Sequence, residues 1–97
     1  MTQPQVRSAR ICELVEQALS PRKINVVDDS HKHAGHAGAR NGGGHFTLLV
    51  VADCFEGIPL LGRHRMIYDV LREQMGSDIH ALSIRAYSPD EYSALDQ

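Results

Sequence analysis

Between His45 and Tyr87 the chain reads strand, helix, strand, and that order leaves few folds open. "HFTLLVVAD" is apolar on both faces from Phe46 to Ala52, the pattern of a well-covered strand. Gly57 and Pro59 punctuate "CFEGIPLLG" as a turn. From Leu60 the helical period resumes, with Ile67, Leu71 and Met75 near one face and Leu61 and Tyr68 on a flank. Gly76 is expected to end that helix in the left-handed conformation. In "IHALSIRAY" the residues Leu82, Ile84 and Ala86 face one way, which makes a further strand. Two strands joined through a helix are parallel, and the crossover is right-handed.

The flanking segments complete the pattern. Over 6–19, Ile11, Leu14, Val15, Ala18 and Leu19 recur at helical spacing, and Ser20-Pro21 stops the helix because proline disfavours helical geometry in the residue before it. In "KINVVDD", Ile24 and Val26 alternate with Lys23 and Asn25, a strand ending near Asp28 and expected to run antiparallel to the next. In "SPDEY", Ser88 caps a last helix, Pro89 suits its first position, and Glu91 stands where a capping box needs it. The expectation is an α/β fold of the α+β kind, α-β-β-α-β-α, with a mixed three-stranded sheet covered on one face by helices. Residues 1–5 are expected to form a loose arm and 6–95 one domain. A chain of 97 residues, 42 % apolar, suffices for one modest core.

No apolar run reaches 18 residues, so no membrane span is expected, and the first ten residues lack the apolar core of a signal peptide. A cytoplasmic setting is the expectation. Cys12 and Cys54 lie far apart with no CxxC, and in a reducing compartment such thiols are expected to be free and buried.

The least ordinary stretch is "SHKHAGHAGARNGGGH", Ser30 to His45. It holds four of the six histidines and five of the eight glycines. A glycine-rich loop over 31–44 is too permissive for helix or strand, and loops of that length in compact domains are commonly functional or disordered. The plain reading is a floppy hairpin tip with solvated histidines. The functional reading rests on His31, His33 and His36: neutral imidazole is a common metal ligand, and HxHxxH in a flexible loop can wrap an ion. No thiolate or carboxylate in the loop completes a four-ligand site, so the loop reads as half of one.

His64, in "GRHRMIY", falls at the centre of the apolar stripe of its helix and is expected to be a hydrogen-bonded core residue. Arg63 and Arg65 are expected to point elsewhere as a small basic rim, solvated or touching an anion. His80 sits at the mouth of the third strand, where a side chain can be exposed at one end of the sheet. No nucleophile and base stand together, so no enzyme is expected.

"DDSHKHAGH", "HF", "FEG", "RHRMIY" and "IHALSI", taken in order across most of the chain, resemble the BolA family. The resemblance implies a fold similar to the class II KH domain. It also implies a non-enzymatic partnership with a monothiol glutaredoxin, in a heterodimer that shares a [2Fe–2S] cluster, the free chain being a monomer without it. The glutaredoxin and a bound glutathione would supply thiolates. The BolA-like chain would supply imidazole from His80 and from the loop position that His33 matches best, with His36 close by. Histidine instead of cysteine in the loop implies a comparatively stable, Rieske-like cluster.

The alternative function is nucleic-acid binding, because the family is also linked to transcriptional regulation of cell shape and stress response. Arg63, Arg65, Arg72, Lys32 and Arg40 are the cations available for phosphates. Against it stand a net charge of −2 and an aromatic content of 5 %. A simple divalent-metal chelator using His31, His33 and His36 is a third reading.

Overall fold

The structure, a computed structural model, describes residues 4–29 and 44–95. Helix α1 spans Pro4–Leu19, strand β1 Lys23–Asp28 and strand β2 Gly44–Val51. After a 3-10 turn at Asp53–Phe55 come helix α2 at Leu60–Val70, strand β3 at Ile79–Tyr87 and helix α3 at Pro89–Leu95. The sheet order is β1-β2-β3, with β1 antiparallel and β3 parallel to the central β2. The mixed sheet and the α+β class expected from the sequence are therefore found.

The core lies between one face of the sheet and two helices. Phe46, Leu48 and Val50 point inward from β2 and meet Ile11 and Val15 of α1 and Ile67 of α2, all essentially solvent-free. Fully burying side chains of this size contributes roughly 1.5–3 kcal/mol each, which is why the central strand and the i, i+4 face of α1 set the architecture together.

Four local expectations change. First, α1 begins at Pro4, so residues 4 and 5 belong to the helix and not to an arm; proline is tolerated in a first helical turn, where its missing N–H has no intrahelical partner anyway. Second, α2 stops at Val70. Gly76 does have a positive φ of 87°, but in the turn beyond the helix, where its N–H donates to the Ile79 carbonyl at 2.8 Å.

Third, β2 is covered on one face only. Thr47 and Leu49 look outward and are half-buried, because among the described residues no helix lies over the middle of the second face. Fourth, the buried stripe of α2 runs through Arg63, Ile67 and Leu71; Leu60 is 61 % exposed at the projecting helix start, and His64 is half-buried on the flank instead of central.

The capping box forms. The Ser88 N–H donates to Glu91 Oε1 at 2.9 Å, and the Glu91 N–H donates to Ser88 Oγ at 3.3 Å. Among the described residues no helix is long and apolar enough to cross a membrane.

Candidate metal centre

Parallel strands open on the same edge, so the first residues of β2 and β3 are neighbours. The register pairs Gly44 with Ile79 and then His45 with Ala81, skipping His80. An extra residue in a ladder re-aims its side chain. Here Ile79 turns fully into the core and His80 turns out to solvent. The His45 and His80 rings lie 5.3 Å apart between centroids, inclined at 47°.

This edge is held from both sides. The Gly44 N–H donates to the Asp78 carbonyl at 2.9 Å, which ties the two strand starts together. The Asp29 N–H donates to the His45 carbonyl at 2.7 Å, and Thr47 Oγ1 donates to Asp29 Oδ2 at 2.6 Å. His45 is thus fixed by backbone on β1 and β2, while His80 keeps an exposed ring. The His80 ring is open to solvent, whereas His45 is half-buried with its Nε2 enclosed. Among the described residues no group of three or more histidine, cysteine or carboxylate side chains is gathered for a metal.

Of the residues singled out from the sequence, His80 stands at this edge. His31, His33, His36, Lys32 and Arg40 lie outside the described residues. His64 is on α2, half-buried. His45 was not singled out; the signal that could have found it was its position one residue before Phe46 at the start of a strand parallel to that of His80. The cysteines are free, but Cys54 is exposed and Cys12 half-buried, against the expectation of burial. Loss of hydration pushes both thiols above their ordinary pKa, with Glu16 adding to the rise at Cys12.

The basic rim needs the largest correction. Arg63 is 5 % exposed and is no surface cation. Its Nε donates to the Ile58 carbonyl at 2.7 Å and its Nη1 to the Ala86 carbonyl at 3.0 Å. Nη1 and Nη2 also fork onto the two Glu91 oxygens at 2.6 and 3.1 Å. Glu91 is held at a pKa of about 2, first by the Arg63 hydrogen bond and then by the Ser88 N–H. Arg65 remains exposed, and exposed Arg72 lies 3.3 Å from Asp69.

Together these features define a class: a small α+β domain whose mixed sheet presents histidine at the open end of its parallel strand pair. The chain belongs to the BolA family. The family model described as BolA-like protein matches residues 15–91. The chain is 46 % identical over 90 residues to SufE-like protein 1, chloroplastic/mitochondrial, of Arabidopsis thaliana, covering 88 % of this chain and 24 % of that one. The first relative is thus about four times longer than the segment shared. DNA-binding transcriptional regulator BolA of Escherichia coli (strain K12) is 38 % identical over 86 residues, covering 89 % and 79 %. The solved BolA domain of SufE1 from Arabidopsis thaliana superposes with a TM-score of 0.77 at 45 % identity, covering 88 % of this chain and 94 % of that domain.

Proposed function

We propose that this chain is a non-enzymatic partner of a monothiol glutaredoxin and that His80 donates nitrogen to a [2Fe–2S] cluster shared with it. The observation that carries the reading is the exposed His80 ring at the strand edge, turned outward by the register shift and 5.3 Å from His45. The donor at this edge fits such a group: His80 offers imidazole, and the sulfur ligands come from the glutaredoxin and its glutathione. The second nitrogen comes from His33 or its neighbour His36, and the geometry adds His45 as a third candidate. Imidazole in place of thiolate removes negative charge from the cluster and raises its potential. A protonated imidazole cannot ligate, so the shared cluster is lost in acid.

The test is to mix the chain with cluster-loaded monothiol glutaredoxin and record visible absorption and circular dichroism. His80→Ala is expected to change the spectrum or shorten the cluster's lifetime. Single alanine variants at His33, His36 and His45 then identify the second donor. An unchanged spectrum with His80→Ala, in a complex that still forms, defeats the assignment.

A second reading, binding of duplex DNA, is favoured by the description of the Escherichia coli relative. It retains Arg65 on α2 and Arg72 in the turn beyond it as phosphate contacts, Arg63 being committed to Glu91. Binding that falls steeply as salt rises, with or without glutaredoxin, is its signature.

A further inference from the structure

His80 points outward because it is the surplus residue of the β2–β3 ladder, and the cause of that surplus lies in the turn before it. Both backbone groups of Ile79 are held by the segment that precedes them. Its N–H donates to the Gln74 carbonyl at 2.9 Å, and its carbonyl accepts the Gly76 N–H at 2.8 Å. The Ile79 side chain is fully buried in the core, and the neighbouring Asp78 carbonyl takes the Gly44 N–H at 2.9 Å. Ile79 is therefore fixed in direction by its own turn, by the core and by β2 together. The ladder pairs Gly44 with Ile79 and resumes with His45 against Ala81, which leaves His80 between them and exposed.

The turn closes through Gly76, whose φ is 87°. Glycine enters this left-handed region freely, whereas any other residue brings its Cβ against a backbone carbonyl oxygen. A Cβ at Gly76 would meet nothing within 4 Å, so the constraint is backbone conformation and not space. Ser77 braces the same turn, its Oγ lying 3.3 Å from the Glu73 and Gln74 carbonyl oxygens. With an ordinary negative φ at position 76, its N–H no longer meets the Ile79 carbonyl, and Ile79 is released toward regular pairing. A shift of one residue in a ladder moves each side chain to the other face. The His80 ring then leaves the edge and its neighbour His45, whose centroid is 5.3 Å away.

We propose that Gly76 is a positioning residue for His80: its left-handed backbone closes the 74–79 turn, and the closed turn sets the register shift that aims the imidazole at the shared cluster. The inference rests on the reading of His80 as a nitrogen donor. Three variants of the full chain test it. Gly76→Pro loses the N–H and fixes φ at about −65°. Gly76→Asn keeps the N–H and tolerates the left-handed region. Gly57→Pro is the matched control, since Gly57 is also left-handed at φ 77° with nothing within 4 Å of a Cβ, but lies in the turn before α2.

Two readouts on the free chain report the direction of His80 without any cluster. One is the nuclear Overhauser contact between the His45 and His80 rings. The other is the rate at which diethyl pyrocarbonate modifies His80, followed by mass spectrometry. Gly76→Pro is expected to lose the ring contact and to slow His80 modification severalfold, and Gly76→Asn to recover both. Gly57→Pro is expected to lower the urea midpoint while both readouts stay as in the parent. With cluster-loaded monothiol glutaredoxin, Gly76→Pro then reproduces the altered circular dichroism or shortened cluster lifetime of His80→Ala. If Gly76→Pro does not fold, Gly76→Val, whose branched side chain is at odds with positive φ, carries the same expectations. A folded variant that keeps the ring contact and the parent's modification rate makes Gly76 a mere turn former and overturns the proposal, with His80 still a donor candidate. Equal displacement of His80 by Gly57→Pro overturns it too, because strain anywhere in the fold would then suffice. If His80 turns away and the cluster spectrum stays that of the parent, the donor reading falls and this inference falls with it.

Discussion

The guanidinium of Arg63 donates to two backbone carbonyls and to both oxygens of Glu91, so one side chain joins the turn before α2, the end of β3 and the start of α3. Removing it leaves the Ile58 and Ala86 carbonyls short of a donor in the interior. Arg63→Ala is expected to cost on the order of 2 kcal/mol, since an orphaned buried polar group costs roughly 1–3. At about 4–8 °C per kcal/mol for a domain of this size, the Tm drops by about 10 °C. Arg63→Lys restores little, because an ammonium cannot serve a forked geometry. Glu91 gives a pH signature. Its pKa is lowered in the folded chain from an ordinary 4.5 to about 2, so its contribution is complete above about pH 5 and is lost as pH falls toward 2. Thermal melts of the parent and Glu91→Gln therefore differ at neutral pH and converge in acid. A gap that widens below pH 4 contradicts this origin.

Among the elements, β2 matters most, hydrogen-bonded on both sides and buried along one face. Leu48→Ala empties a fully buried site at its centre and is expected to cost about 2–5 kcal/mol by urea denaturation. Val27→Thr on the exposed edge strand is expected to stay within about 0.5 kcal/mol. The α2 helix shows how an element is mis-phased from its sequence. Arginine ranks as a surface residue, so apolar periodicity alone sets the stripe around Leu60, Leu71 and Met75, and His64 falls between Leu71 and Met75. The actual stripe places Arg63 inward, where Glu91, 28 residues further along, neutralises it. Nothing within the helix announces a partner at that separation. The capping box of α3 was legible because both its members lie within four residues.

For the molecule as a whole, the proposed site and the Arg63–Glu91 ion pair lie at different ends of the sheet. His80 is exposed at the edge where β2 and β3 begin, whereas Arg63 and α3 close the opposite end. His80→Ala is expected to leave the urea midpoint within about 0.5 kcal/mol of the parent while altering the cluster spectrum with glutaredoxin. A large loss of stability would make His80 a structural residue. The reverse holds for Ile67→Ala, which should lower stability by about 2–5 kcal/mol and leave the spectrum of the folded fraction unchanged.

The sequence by itself determined the element order, the mixed sheet and the capping box. These follow from periodicity and from turn residues acting over a few positions, and the crossover rule converts them into topology. Tertiary structure alone decided that Arg63 is interior and that a register shift sets His45 beside His80. Each of these depends on groups far apart in the chain meeting across strands or helices. Local pattern carries no record of which side chain will neutralise, crowd or uncover another.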